Sequence, residues 1–335
     1  FAGNIGEIMS VDLYIASQNQ EKLYIPCIEE GVEWYTERRG MPGKLTFKVV
    51  KTDGIEFAEG SPVRMQQNGE DIFFGFIFKQ QRNKEQIVTI TAYDQLRYLK
   101  NKDTKVYENM TADQVIAMLA ADYGLQIGTL EQTGYVIEER IEKDKSLFEM
   151  IENALDLTLT NTKEMYVLYD DCGRLTLKSL PSMYVRNDSG NYLMIDEETG
   201  ENYEYTSSID DSTYNKIKLT YENEEAGKRE VYIAQDGAHI NEWGTLQYYG
   251  TLSEGEDGAA KADALLSLYN HKTRNLRLTK VFGDNRVRAG SMLVVNLNLG
   301  DVSLQNFMLV ETCKHTYKEN EHWMDITLRG GEFIA

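Results

Sequence analysis

One pattern occurs near both ends of the chain and limits what the chain can fold into. Residues 60–65 (GSPVRM) and 290–295 (GSMLVV) each place Gly-Ser at a turn before an alternating strand. Each is followed by a short loop ending in glycine (Gly69, Gly300), an apolar strand, a charged connection and a strand with Ile-Thr. The Ile-Thr pair begins 30 residues after the start of the first copy and 36 residues after the start of the second. Equal order with a small difference in length predicts two copies of one β-barrel, although any two antiparallel meanders would share that order.

The chain around the first copy has the patterning of an all-β unit that ends near Leu99. With only 4 prolines and 21 tyrosines, the chain favours strands and hairpins. Residues 45–50 (LTFKVV) and 87–91 (IVTIT) alternate between apolar and polar side chains, as half-buried strands do. Residues 72–78 (IFFGFIF) are apolar on both faces. We therefore expect this strand to be sandwiched or covered by a partner chain.

After residue 100 the pattern changes to that of a small α+β module. Thr111 and Gln114 have the spacing of a capping box, and residues 146–149 (SLFE) repeat that spacing, so two helices are predicted to begin there. Gly124 is the expected left-handed stop of the first helix. Two short apolar runs around residues 170–173 (DDCG) predict a hairpin.

Alternation returns from residue 214, with a helix predicted at 258–270 and strands at 276–281, 292–297, 307–311 and 323–328. The predicted fold class is mainly β with an α+β insertion: two similar antiparallel β-barrel domains separated by a small α+β module. The predicted boundaries are 1–100 for the first barrel, 101–205 for the middle module, and 206–335 for the second barrel with one helix.

The charge balance argues against nucleic-acid binding. Lysine and arginine number 35 against 54 aspartates and glutamates, which gives a net charge of −19. Phosphate neutralisation needs clustered cations, so no specific nucleic-acid binding is expected. The longest apolar run is far short of the ~20 residues of a membrane helix, and the N-terminal stretch lacks the pattern of a secretory signal. The acid-rich stretch 196–225 is interpreted as solvated surface.

No pattern in the chain points to catalysis or to a cofactor. Cys27, Cys172 and Cys313 are far apart, so we expect reduced, buried thiols rather than a disulfide framework. His315 and His322 flank a hairpin and are predicted to face one another, without a zinc motif to support a metal site. No catalytic, cofactor-binding or metal-binding residue and no cofactor is predicted.

Several segments resemble the baseplate hub proteins of contractile phage tails, in particular the XkdQ/YqbQ group of PBSX-like defective prophages and phage-tail-like bacteriocins. The stretches that carry the resemblance are 31–34 (GVEW), 38–40 (RRG), 44–47 (KLTF), 72–78 (IFFGFIF), 91–104 (TAYDQLRYLKNKDT), 311–315 (ETCKH) and 322–331 (HWMDITLRGG). The block at 91–104 is the most specific, and the resemblance spans nearly the whole chain.

The resemblance implies a relative of the late control protein D class: a structural, non-enzymatic, homotrimeric hub. The implied partners are the tail tube protein, the central spike protein and other baseplate proteins, with no membrane. Such a protein is expected in the bacterial host cytoplasm during assembly and then in the phage tail or tailocin. If acids line the ring, DNA or cargo would not adhere. Two alternatives remain open: a tail-associated peptidoglycan hydrolase, and a carbohydrate- or receptor-binding tail module.

Overall fold

Strands dominate the fold, as the alternating sequence predicts. The computed structural model describes residues 10–50, 54–196, 198–199, 202–210, 212–223, 228–252, 257–298, 303–318 and 320–330. Strands make up 52% of the chain and helices 19%, which confirms the mainly β class with an α+β insertion.

The first unit is an antiparallel sheet that curls around its own core. Its sheet order is β3-β4-β7-β6-β5-β1-β2. The inward side chains of the alternating segments, among them Leu45, Phe47 and Ile90, are fully buried, as predicted. Its strands are β1 (Val11–Ala16), β2 (Leu23–Tyr24), β3 (Ile28–Glu37), β4 (Lys44–Val50), β5 (Pro62–Gln67), β6 (Glu70–Arg82) and β7 (Ile87–Tyr93).

The chain itself covers both faces of the apolar segment in β6. Phe73 and Ile77 point into the core. On the opposite face Phe76 and Phe78 are half-buried, with ring centroids 6.2 Å and 5.9 Å from that of Tyr98. Tyr98 lies in a short 3₁₀ helix that directly follows the first unit. The expectation of a sandwiched strand is therefore met within one chain, and these two aromatic contacts need no partner chain.

The middle module packs two helices against small sheets. Both predicted capping boxes are present, because the Gln114 and Glu149 side chains accept the backbone N–H of Thr111 and Ser146 at 3.0 and 2.7 Å. Gly124 follows the first helix with a φ of +64°, as predicted. The elements are β8 (Lys102–Met110), α1 (Ala112–Asp122), β9 (Ile127–Leu130), β10 (Ile137–Ser146), α2 (Leu147–Thr162), β11 (Tyr166–Asp170) and β12 (Leu175–Ser179). β8 pairs with β10, and β11-β12-β9 form a three-stranded sheet.

The second unit repeats the strand order of the first. Strands β14, β18, β19, β20 and β21 pair in the order β14-β18-β21-β20-β19, as β3, β4, β5, β6 and β7 pair in the order β3-β4-β7-β6-β5. The remaining elements of the chain, including an insert between β14 and β18, are β13 (Met194–Ile195), β14 (Asn202–Ser208), β15 (Lys216–Asn223), β16 (Lys228–Gln235), α3 (Gly237–Trp243), β17 (Gln247–Thr251), α4 (Gly258–Tyr269), β18 (Thr273–Phe282), β19 (Met292–Asn298), β20 (Ser303–Lys318) and β21 (Glu321–Gly330).

The insert between β14 and β18 has its own sheet and core. Strands β16-β15-β17 form a separate three-stranded sheet, and α4 packs on it through Ala262 and Leu265. The helix predicted at 258–270 is therefore present, but it packs on the insert and not on the second unit. A short connection replaces the insert between β3 and β4 of the first unit. The predicted domain boundaries stay a prediction.

Candidate functional site: the joint between the two β units

The Gly-Ser turns found in the sequence make the same backbone contacts in both units. The N–H of Gly60 donates to the carbonyl of Ile77 at 2.7 Å, and that of Gly290 donates to the carbonyl of Val310 at 2.8 Å. Both glycines have a positive φ, +87° and +92°, which glycine adopts without strain. The sequence repeat therefore marks one structural position, although Gly300 of the second copy lies outside the described residues.

The serines of these turns also have equivalent roles. Each hydroxyl accepts a hydrogen bond from the backbone N–H three residues earlier, Ser61 from Ala58 at 3.2 Å and Ser291 from Arg288 at 3.0 Å. Both serines are almost fully buried. A buried hydroxyl that satisfies a backbone donor explains why serine follows glycine in both copies.

A β-bulge follows at the same place in each unit. The pairing of β6 with β7 shifts by one residue after Ile77, and the pairing of β20 with β21 shifts by one residue after Val310. The extra residues are Phe78 and Glu311. Equal strand order, turn and bulge establish that the opening and closing parts of the chain share one topology, as the repeat predicts.

The two units are joined edge to edge by β3 and β20, which we call the joint. β20 first pairs with β19 and then, beyond its bulge, pairs antiparallel with β3. The register is Thr312–Glu37, Cys313–Thr36, Lys314–Tyr35, His315–Trp34, Thr316–Glu33 and Tyr317–Val32. One continuous sheet therefore runs from the second unit into the first.

A half-buried ion pair closes one end of the joint. The Nε and Nη2 atoms of Arg38 donate to the two carboxylate oxygens of Glu311 at 2.8 and 3.1 Å. The Arg38 side chain is only 11% exposed and that of Glu311 23%. This two-bond geometry fixes register as well as adding energy. Beside it the Thr36 hydroxyl accepts the N–H of Ala289 at 2.9 Å.

Aromatic rings fill the middle of the joint. The Trp34 ring stacks on the His315 ring with centroids 4.7 Å apart. The Nε2 atom of His315 is 2.8 Å from the carbonyl of Val287, and its Nδ1 atom is 2.8 Å from Nε2 of His322. The two histidines face one another, as predicted. Burial is the largest cause that lowers the pKa of His315 to about 3 and that of His322 to about 4.

Tyr317 anchors the far end of the joint in the first unit. Although it belongs to β20, its side chain packs in the core of the first unit and is 2% exposed. Its hydroxyl donates to Asn285 at 2.8 Å, and Asn285 in turn donates to Gln67 of β5. The joint therefore has a buried interior in which His315 and Tyr317 have hydrogen-bond partners, which is the character of a permanent interface.

The middle module meets both units at a buried polar cluster. Arg288 donates to the backbone carbonyl of Asp170 at 2.8 Å and lies over the rings of Tyr169 and Trp34, 4.2 and 5.6 Å from their centroids. Burial raises the pKa of the Asp170 carboxyl to about 6. Burial also raises the pKa of Asp94 well above its usual value, against the backbone N–H donors it accepts. The cluster contacts the middle module and both units, although the buried Asp170 Oδ2 and Arg288 Nε atoms have no hydrogen-bond partner.

The cysteine prediction is met only in part. Cys313 is buried beside His315, Cys172 is half-buried, and Cys27 is exposed, contrary to the expectation of three buried thiols. All three are free thiols. In the described part of the chain, no three histidine, cysteine or acidic side chains gather as metal ligands, and no helix has the length and apolar character to cross a bilayer. The absence of catalytic, cofactor and metal residues stays a prediction.

Two jointed units with a middle module and an insert form the fold of a prophage tail protein. The 43 kDa tail protein of prophage MuSo2 from Shewanella oneidensis is similar to this chain with a TM-score of 0.65 at 13% identity, covering 95% of this chain and 97% of that one.

The chain belongs to the YQBQ-like family, which matches residues 32–329. Uncharacterized protein YqbQ of Bacillus subtilis (strain 168) is 30% identical over 329 residues, covering 94% of this chain and 95% of that protein. Phage-like element PBSX protein XkdQ of the same strain is 26% identical over 328 residues, covering 94% and 96%. These matches confirm the resemblance found in the sequence.

Proposed function

We propose that this chain is the structural hub of a tail baseplate, in which three copies form a ring between the tail tube and the central spike. The observation that carries the proposal is the duplication: two units of one topology, joined by one edge-to-edge contact. The phage-like element and tail proteins to which the chain is similar support the same setting.

The joint explains why a ring is the natural assembly. It is heterologous, because β20 of one unit contacts β3 of the other and each unit uses a different edge. A heterologous contact repeated around an axis closes a ring or continues as a filament. Three chains with two units each supply six similar units, which gives a threefold hub a sixfold face for a hexameric tube.

The buried carboxylates of Glu142 and Asp94 serve structure rather than turnover. Glu142 is 1% exposed and lies 3.0 and 3.2 Å from Arg140 and Lys145, while both oxygens of Asp94 accept backbone N–H groups. These partners account for them without a substrate. We propose that the protein has a non-enzymatic role, and that it is made in the host cytoplasm and then carried in the tail or tailocin. No observation favours the alternatives of peptidoglycan hydrolase or carbohydrate-binding module, and a zymogram and a glycan array test them.

Light scattering tests the ring. The protein is measured alone, with the spike partner, and with spike and tube partners together. We expect a species of three times 38.4 kDa, plus the mass of any bound partner, in at least one mixture. A chain that stays monomeric in all three contradicts the proposal.

The net charge of −19 extends the proposal to the channel. Acids lining the ring would repel DNA and keep passing cargo from adhering. A structure of the assembled ring with a basic or neutral channel would refute this part alone.

A further inference from the structure

Each unit has an edge equivalent to one used in the joint, and both of those edges are unpaired. Among the described residues, β14, the counterpart of β3, pairs only with β18. Likewise, in the part of the chain that is described, residues 79–82 of β6, the counterpart of 312–315 in β20, pair only with β7. Six strands lie between β14 and β6 in the chain's own sheet, and no pairing within the described residues joins the two edges.

The strand registers identify which residues of the two free edges would face one another. Trp34 lies opposite Leu45, and Tyr205 lies opposite the equivalent Leu276, so Tyr205 is the counterpart of Trp34. The common bulge makes Arg82 the counterpart of His315. Applying the joint's register to the free edges gives four pairs: Lys79–Ser208, Gln80–Ser207, Gln81–Thr206 and Arg82–Tyr205.

Two features of the joint are kept at the free edges. Thr36, whose hydroxyl accepts the N–H of the residue before the Gly-Ser turn, has Ser207 as its counterpart. The residue before the other turn is Glu59, which is exposed. If the contact of the joint is used a second time, the Ser207 hydroxyl would accept the backbone N–H of Glu59, as Thr36 accepts that of Ala289. Tyr205 likewise keeps an aromatic ring where the joint has Trp34.

The remaining contacts differ in a complementary way. The Trp34–His315 ring stack becomes Tyr205 facing Arg82, and a guanidinium over an aromatic ring is attractive. The Arg38–Glu311 ion pair becomes Ile209 facing Phe78, an apolar pair of half-buried side chains. In each of these two pairs both residues differ from those of the joint, so neither replacement leaves a buried charge without a partner.

We propose, resting on the proposed ring, that residues 79–82 of one copy pair antiparallel with β14 of a second copy in the register of the joint. This contact is the intermolecular version of the joint. It is more polar, because Gln80, Arg82 and Ser207 replace Cys313, His315 and Thr36. Charged and polar edge residues also hinder indiscriminate strand pairing, so the contact forms only when the whole surface fits.

Disulfide cross-linking tests the register. In a Cys27→Ser background, which removes the exposed thiol, Gln81→Cys is combined with Thr206→Cys. Directly opposed residues have Cα atoms roughly 4.5–5.5 Å apart, within disulfide range. The matched control combines Gln81→Cys with Ser208→Cys, on the same face but offset by two residues and thus roughly 7–8 Å away. Both variants are oxidised as assembled rings with tube and spike partners and run on a non-reducing gel.

We expect covalent dimers and trimers from the Gln81/Thr206 pair and little cross-linking from the control. Suppose that rings with the mass of three chains form, but that they cross-link only in the control or in neither variant. That result overturns the register and leaves the proposed function standing. Absence of any multi-chain species overturns both proposals. If a variant melts earlier than its parent, Lys79→Cys with Ser208→Cys repeats the test at the next pair on that face.

Discussion

Acid should open the joint, because it contains two histidines that are buried in the neutral form. His315 Nε2–H donates to a carbonyl, and its Nδ1 accepts from His322. A second proton on His315 would have to occupy Nδ1, facing the N–H of His322. Burial lowers the pKa values to about 3 and about 4 from an unfolded value near 6.5.

The direction and magnitude of this effect of pH on the free energy of unfolding follow from proton linkage. Because the folded-state pKa values are lower than the unfolded ones, the stabilisation is complete above the unfolded pKa and is lost as the pH falls towards the folded values. Between about pH 7 and about pH 5, each histidine costs about 2 kcal/mol as the unfolded chain takes up protons. That loss is a large part of the roughly 5–15 kcal/mol that stabilises a domain.

Urea denaturation at a series of pH values measures this effect. The raised pKa values of Asp94 and Asp170 act in the opposite direction, since such carboxyls stabilise the fold as the pH falls. The comparison is therefore between the wild type and His315→Gln, with His271→Gln in the insert as the control. We expect His315→Gln to flatten the pH dependence and the control to keep it. Equal slopes in all three proteins would show that the buried pair does not control acid stability.

Three further predictions concern the repeat, the joint and the outer face of β6. Ser61→Ala and Ser291→Ala should each lower the free energy of unfolding by about 1–3 kcal/mol by leaving a backbone N–H unsatisfied, and clearly unequal losses would argue against equivalent turns. Arg38→Gln should cost about 1–3 kcal/mol by removing the charge-assisted hydrogen bonds to Glu311, which keeps only Arg329 at 3.9 Å, and a loss below about 0.5 kcal/mol in urea titration would contradict the importance of the ion pair. Replacing Phe74 and Phe76 together by serine should cost about 2–4 kcal/mol and loosen the middle module, and unchanged amide hydrogen exchange there would refute this.

The repeat was predictable because its signals are local. A turn that needs a positive φ selects glycine, and the buried hydroxyl selects serine, so Gly60 and Gly290 mark the same place in both units. The capping boxes at Thr111 and Ser146 are equally local, since two residues three positions apart define each one. Such features survive in one sequence without any knowledge of tertiary contacts.

The insert and the joint were not predictable for the opposite reason. Alternation in residues 216–223 predicts a strand, but it does not say which sheet the strand joins, and β15 joins a separate one. The pairing of β3 with β20 links residues almost three hundred positions apart, and nothing near either strand specifies the partner. The exposure of Cys27 likewise depends on its position just before β3 and not on its residue type.

Hairpin length predicts that the proposed contact between chains is weaker than the joint within a chain. The hairpin of β20 and β21 extends to the pair Lys318–Glu321, and this extension places Tyr317 in the core of the first unit. The hairpin of β6 and β7 is shorter, because the N–H of Asn83 already bonds to the carbonyl of Ile87. Within the described hairpin of β6 and β7, no strand residue extends as far beyond the bulge as Tyr317 does in β20. Lengthening this hairpin by two residues with a tyrosine at the equivalent position should strengthen ring formation, and an unchanged association constant by sedimentation would show that the anchor is not what distinguishes the two contacts.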